Sequence, residues 1–233
     1  DCMISGLSRN YPDTIRPALQ VIGTEDGVKK IAGMYIMFTK RGPLFLADTT
    51  VNFNPTSEEL AEITLLVAKE VAQFNIKPRI AMLSYSNFGS SDSAEANLVR
   101  KAREIVKQKA PNLICDGEVQ AFLAFNKEIL KENYPFTELL NGDVNTLIFP
   151  NLAAGNVAYN LLQEVGGADS IGPVLLGLKK PVHVLQLGSS IRSIFNMVLI
   201  AVVDAQQKTK TNTSEQVKKS KWWRGFKRKS HDL

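Results

Sequence analysis

Ser84, Ser86, Gly89 and Ser90 stand in the polar run Ser84-Tyr85-Ser86-Asn87-Phe88-Gly89-Ser90-Ser91-Asp92-Ser93, between an apolar strand pattern and a helix pattern. Amides and hydroxyls at such a junction point at whatever anion docks on the helix N-terminus, so these four residues could cradle a phosphate or pyrophosphate. The run has neither the Gly-Lys-Ser/Thr of a Walker A loop nor a GxGxxG, and on pattern alone an ordinary Ser-rich turn is the better account. Asp116-Gly117-Glu118 follows a strand and could offer a carboxylate at the strand's C-terminal end. Spacing favours Asp116 as the N-cap of the next helix instead. Asn151 and Asn156, after Phe149, and Gly188-Ser189-Ser190, after Leu187, present the same choice. Four strand ends carrying Gly, Ser, Asn or Asp could together line one crevice. Arg16 and Arg192, isolated cations in neutral surroundings, could each hold a phosphate, although most such arginines form surface pairs. His183 alternates with apolar residues in Val182-His183-Val184-Leu185 and has no Ser or Cys motif nearby to serve as a base, so a satisfied structural histidine is the better reading.

Positioning these residues calls for strands that alternate with helices. A helix is expected to start near Pro12/Asp13, with Pro17 suited only to its first turn. Met34 to Phe38 and Leu44 to Ala47, flanking Lys40-Arg41-Gly42-Pro43, read as a hairpin or adjacent strands. Thr56 with Glu59 forms a capping-box pattern ahead of Leu60, Ile63, Val67, Val71 and Phe74 at helical spacing. Beyond residue 79 the pattern predicts strand Ile80 to Tyr85, helix Ala94 to Lys109, strand Leu113 to Cys115 and a helix near Val119 to Leu130. Strand Thr146 to Phe149, helix Ala153 to Leu162, an apolar Val174 to Leu176, strand Val182 to Leu187 and helix Ile191 to Ala205 follow. The alternation argues for an α/β protein with a three-layer, mostly parallel sheet.

The net charge of +5 invites an anionic partner until it is followed along the chain. Residues 206–233 carry nine Lys/Arg against Glu215 and Asp232, a balance of +7, whereas residues 1–205 carry 19 basic and 21 acidic side chains. The basic balance belongs to a polar tail, predicted to be disordered. Its end, Trp222-Trp223-Arg224-Gly225-Phe226-Lys227-Arg228-Lys229, could touch nucleic acid or an anionic membrane, but incidental solubilising sequence accounts for it better. The longest apolar stretch, Met197 to Val203 with its flanks, falls short of the roughly 20 residues of a membrane span, and no signal peptide opens the chain. A cytoplasmic location is expected by default. Cys2 and Cys115 lie far apart without CxxC spacing, so neither a disulfide framework nor a metal site is expected. The absence of an initiator Met before Asp1 reads as a cut inside a longer protein.

Several runs together resemble a known family. Ser84-x-Ser86-x-x-Gly89-Ser90, Asp116-Gly117-Glu118-Val119-Gln120, Pro150-Asn151-Leu152-Ala153-Ala154-Gly155-Asn156 and Gly172-Pro173-Val174-Leu175 with Lys180-Pro181-Val182 are similar to the successive motifs of the phosphate acetyl/butyryltransferases, in that family's order. Met3-Ile4-Ser5-Gly6 and Thr14-x-Arg16-Pro17-Ala18-Leu19-Gln20 fit as well. Ala47-Asp48-Thr49, Ser86-Asn87-Phe88-Gly89-Ser90 and Asn196-Met197 leading to Val203-Asp204-Ala205 resemble the form fused as the C-terminal domain of NADP-dependent malic enzymes.

The resemblance covers about residues 1–205, ahead of the tail at 206–233. It implies two α/β subdomains with a CoA-binding cleft between them, one built from both ends of the chain. The family's first segment would be absent here, leaving only the middle subdomain, about residues 50–180, whole. In active members the strand after Lys-Pro-Val ends in Leu-Ser-Arg-Gly, with an Asp a few residues on; Ser and Arg act on the thioester and acyl phosphate, and Asp works with the thiol of CoA. Here Gln186 stands for the serine, Leu187 for the arginine and Ser193 for the aspartate. Losing a cation that stabilises developing charge removes several kcal/mol of transition-state binding in comparable electrostatic catalysts.

The resemblance therefore implies a domain that binds acetyl-CoA or CoA non-covalently and does not transfer the acetyl group. Its ligand contacts would be Arg16, Ser84, Ser86, Gly89, Ser90 and Asn156, with Arg192 as a further candidate. It would serve as a regulatory, homo-oligomerising partner of a malic enzyme catalytic domain. A working phosphate acetyltransferase and a ligand-free scaffold left by a split gene are the alternatives.

Overall fold

Short apolar runs bounded by turn residues become strands when each can pair its backbone groups with a neighbour. The computed structural model describes residues 1–8, 11–186 and 188–208. Strands β1 (Met3–Gly6), β2 (Ala32–Thr39), β3 (Gly42–Ala47), β4 (Arg79–Leu83), β5 (Ile114–Val119), β6 (Thr146–Ile148), β7 (Asp169–Leu176) and β8 (Val182–Leu185) form one sheet, ordered β1-β8-β7-β2-β3-β6-β4-β5. Pairs β1/β8, β3/β6, β4/β6 and β4/β5 are parallel; β2/β3, β2/β7 and β7/β8 are antiparallel. Strands β3 to β7 therefore run one way, and β1, β2 and β8 the other. The C-terminal ends of β3, β4, β5 and β6 open on one long edge of the sheet, and those of β1 and β8 on the opposite edge.

The helices are α1 (Tyr11–Val21), α2 (Ser57–Gln73), α3 (Ala94–Lys109), α4 (Ala121–Ala124), α5 (Lys127–Asn133), α6 (Leu152–Glu164) and α7 over 191–208, with a 3-10 turn at Glu138–Asn141. The predicted capping box opens α2, Thr56 Oγ accepting from Glu59 N while the Glu59 carboxylate accepts from Thr56 N. Ser93 caps α3 by accepting from Ala96 N, and Asn151 caps α6 by accepting from Ala154 N.

Four expectations change. Pro17 lies well inside α1 rather than in its first turn, because the helix starts at Tyr11. Strand β5 runs on to Val119, so Asp116 is a strand residue and not a helix cap. The helix expected over 119–130 divides into α4 and α5, because the Asn126 side chain accepts from Ile129 N and starts a new helix there. Helix α7 continues to residue 208, three residues past its predicted end, and the rest of the basic tail, with Trp222 to Lys229, lies outside the described residues.

Period-two alternation sends side chains to two faces. Phe45, Ala47, Ile80 and Met82 meet Leu60, Ile63 and Val67 of α2 and Val99, Ala102 and Val106 of α3. Leu44, Leu46, Ala81 and Leu83 face the other way, onto α4, α5 and Tyr159 of α6. Each fully buried Leu or Ile contributes about 1.5–3 kcal/mol, so the helices on both faces stabilise the sheet between them. Helix α1 adds a smaller core, Ile15 and Ala18 against Val182 and Val184.

Candidate functional site

The Ser84–Ser93 loop leaves the C-terminal end of β4 and doubles back on the neighbouring strand β5. Glu118, fully buried in β5, is its centre. One carboxylate oxygen accepts from Ser86 Oγ (2.9 Å), Gly89 N (2.8 Å) and Arg100 Nη2 (3.0 Å); the other accepts from Arg100 Nε (3.2 Å). Burial pushes this carboxyl up, but the Arg100 guanidinium, the Gly89 amide and the Ser86 hydroxyl outweigh it and hold it below its ordinary range. Ser86 Oγ also takes Ser91 N (3.1 Å), and Ser90 Oγ takes Asn87 N (2.9 Å). Phe88, at a φ of 44°, drives its ring against Tyr134 and Phe136 and pins the bend. The chain's own carboxylate thus occupies the centre of the anion cradle read from the sequence. Ser84 is half-buried, its Oγ accepting from Ser86 N (3.2 Å), while Gly89 and Ser90 remain exposed at the rim.

Asp116, two residues before Glu118, is also buried and acts as a brace. Its Oδ1 meets Arg103 Nε and Nη2, each at 3.0 Å, and its Oδ2 accepts from Thr137 Oγ1 (2.7 Å) and Glu138 N (3.0 Å). The same edge carries the loop after β3. The Asp48 carboxylate accepts from the amides of Gly33, Thr50, Val51 and Asn52, and Asn156 Nδ2 of α6 donates to Thr49 O (3.4 Å). Gly155 allows that approach, since a Cβ there would lie 2.2 Å from Asp48 O.

The segment after β8 leaves from the opposite edge. Because β8 returns antiparallel to β7, the single crevice expected from four strand ends divides, three at one edge and Gly188-Ser189-Ser190 at the other. Helix α6 links the two: Tyr159, three residues past Asn156, stacks on Tyr35 and accepts from Gln186 Nε2 (3.3 Å). Gln186 N donates to Ser189 Oγ (3.1 Å). Ser190 Oγ accepts from Ser193 N (3.1 Å) and bonds the Ser193 hydroxyl (2.9 Å), starting α7. Arg192 reaches Asp169 at 3.3 Å, a solvent-exposed pair of small energetic weight. Ser190, Arg192, Ser193, Asp169 and Phe38 line a groove of about 420 Å³. Leu187 lies outside the described residues. Arg16 is exposed on α1, away from the Ser-rich loop's strand by most of the sheet's width. His183 is buried as expected of a structural histidine, its Nδ1 accepting from Leu175 N (3.4 Å), but Nε2, 2.8 Å from Asp204, has no hydrogen-bond partner.

Arg100, Arg103, Glu118 as a buried acceptor, and Asp48 escaped the sequence reading. The first two left one trace, basic residues three apart on the helix face that otherwise buries Ala96, Val99 and Ala102. Chemically, the first edge offers a rigid, hydrogen-bonded rim with exposed Gly89, Ser90 and Asn156. The second offers hydroxyls, an amide and a guanidinium. Among the described residues no three His, Cys, Asp or Glu gather as a metal site, and no helix is long and apolar enough to cross a membrane.

A family model described as Phosphate acetyl/butaryl transferase matches residues 1–202. The chain is 44% identical over 207 residues to the NADP-dependent malic enzyme of Haemophilus influenzae, a match covering 89% of this chain and 27% of that protein. It is 40% identical over 205 residues to the phosphate acetyltransferase of Bacillus subtilis, covering 88% of this chain and 63% of that one. A phosphotransacetylase structure from Streptococcus pyogenes superposes with a TM-score of 0.84 at 39% identity, covering 89% of this chain and 63% of the other. The chain thus spans about a quarter of the malic enzymes and under two thirds of the acetyltransferases that it matches.

Proposed function

This chain belongs to the phosphate acetyl/butyryl transferase family, and from that premise we propose that it binds acetyl-CoA or a related CoA ester without transferring the acyl group. In this reading it is a regulatory, homo-oligomerising domain that works with a malic enzyme catalytic domain in the cytoplasm. Support for the partner comes from the 44% identity to a malic enzyme. The observation that carries the loss of catalysis is the segment after β8. Gln186, at the position of the family's serine, has its amide engaged with Tyr159, and Ser193, at the position of the aspartate, is engaged with Ser190. Neither supplies a nucleophile, a base or a cation for a developing charge.

Binding would use the exposed rim residues Gly89, Ser90 and Asn156, the half-buried Ser84, the Ser86 hydroxyl if it turns from Glu118, and the exposed guanidinium of Arg16, with Arg192 as a further contact. Titration calorimetry with acetyl-CoA is expected to give saturable heat with the wild-type chain. Arg16→Ala is expected to weaken binding roughly tenfold to a hundredfold, the worth of one charge-assisted contact to a phosphate. No heat from a folded sample would refute the reading and leave the ligand-free scaffold. The 40% identity to a phosphate acetyltransferase favours one rival, a working transacetylase. Acetyl-CoA formation from acetyl phosphate and CoA that survives Gln186→Ala and Ser193→Ala would establish it.

A further inference from the structure

Beneath α7 three titratable side chains are buried close to one another. Glu70 of α2 is 9% exposed, Asp204 of α7 is 5% exposed and His183 of β8 is fully buried. Glu70 and Asp204 line a cavity of about 20 Å³, room for one water. None of the three takes part in the chemistry proposed above.

The hydrogen bonds decide where protons must be. Leu175 N donates to His183 Nδ1 (3.4 Å), so that nitrogen is an acceptor and the ring proton lies on Nε2. Nε2 lies 2.8 Å from Asp204 Oδ2. The two ammonium groups that border the cavity are engaged elsewhere. Lys69 Nζ and Lys208 Nζ hold the two oxygens of Glu25, at 2.7 and 2.9 Å, and Lys208 also donates to Leu178 O. Glu70 Oε1 has no hydrogen-bond partner of its own. Asp204 Oδ1 likewise has none, so two buried carboxylates each bring an unsatisfied oxygen to one cavity.

We propose that Glu70 and Asp204 hold a single proton between them, and that this proton latches α7 to the sheet and releases it as pH rises. Two buried carboxylates that line one small cavity oppose each other's ionisation. Ionising Glu70 sets a bare negative charge against Asp204, and the repulsion is relieved by parting α7 from α2. Helix α7 carries Arg192, Ser193 and Asn196 and follows directly on Gln186–Ser190, so its release would dismantle the groove at that edge. Consistently, burial first and the Asp204 charge second push the Glu70 carboxyl well above its ordinary 4.5.

The sign follows from proton linkage. A raised folded-state value means that the docked state holds a proton which the released state gives up. The latch is therefore complete below about pH 4.5 and is lost as pH climbs through the raised value. Hydrogen exchange of amides 197–205 in the full chain, corrected for intrinsic rate, reads the opening directly. Wild type is expected to open about tenfold more per pH unit between about pH 4.5 and the raised Glu70 midpoint and to level off above it, whereas Glu70→Gln, which carries the proton's hydrogen permanently, is expected to stay flat. Carbon-detected NMR of the Glu70 carboxyl in the unmutated chain should show a midpoint above 4.5, falling in Asp204→Asn. A wild-type midpoint at or below 4.5, or equal pH slopes in wild type and Glu70→Gln, overturns the proposal. The wild-type titration decides alone if the Gln variant does not fold.

Discussion

Replacing Glu118 with Gln changes one atom at the hub of the Ser84–Ser93 loop, and the hydrogen-bond geometry sets what it should cost. The amide oxygen can take the position that accepts from Ser86, Gly89 and Arg100 Nη2. The amide nitrogen must then face Arg100 Nε, a donor against a donor, where Glu118 now accepts at 3.2 Å. One charge-assisted bond is lost, worth about 1.5–3 kcal/mol, and three others fall toward the neutral range of about 0.5–1.5 kcal/mol each. Arg100 keeps 29% of its side chain exposed and can turn to water, which offsets part of the loss. A net destabilisation of about 2–3 kcal/mol follows, a fall in Tm of roughly 5–10 °C for a domain of this size. Urea unfolding at pH 7 measures it. The acid limb supplies a second reading, because the depressed Glu118 value contributes stability present above about pH 4.5 and lost as pH falls through the folded value. Glu118→Gln should flatten that limb. A loss under about 0.5 kcal/mol with an unchanged acid limb would show that the loop does not depend on this carboxylate.

Gly155→Ala should destabilise by about 1–3 kcal/mol, although Ala gains about 1 kcal/mol in helix propensity, because the new Cβ would sit 2.2 Å from the backbone oxygen of Asp48; a rise in Tm would refute the close approach of α6. Thiol alkylation at pH 8 should modify one cysteine per native chain. Burial, with the Asp116 charge behind it, pushes the Cys115 thiol up to about 12, while Cys2 is exposed. Two modified thiols by mass spectrometry would contradict that.

Local interactions made several elements legible in advance. The capping box of α2 closes within three residues of Thr56, and α3 begins at its own cap, Ser93, so both helices are written in adjacent sequence. The β2–β3 hairpin needs only two apolar runs and the turn at Lys40–Gly42. Motif order was equally plain, and it led to the family that matches residues 1–202. Period-two alternation also identified His183 as an inward, structural residue.

What the sequence by itself determined is therefore most of this protein's inventory: the majority of its helices and strands, its family, and the substitutions Gln186, Leu187 and Ser193 at that family's reactive positions. The tertiary structure alone decided which groups meet. Glu118 bonds Ser86 from 32 residues away, Asp116 bonds Thr137 from 21, and Asp204 closes on His183 and Glu70 from two other elements. Strand direction belongs to the same class. Nothing within Val182–Leu185 encodes that β8 runs against β7, yet that one pairing sends the Gln186–Ser193 segment to the edge opposite the Ser-rich loop. Local hydrogen bonds and periodicity act over a few residues, whereas register, direction and the partners of a buried charge are set by pairing and burial summed over the whole sheet.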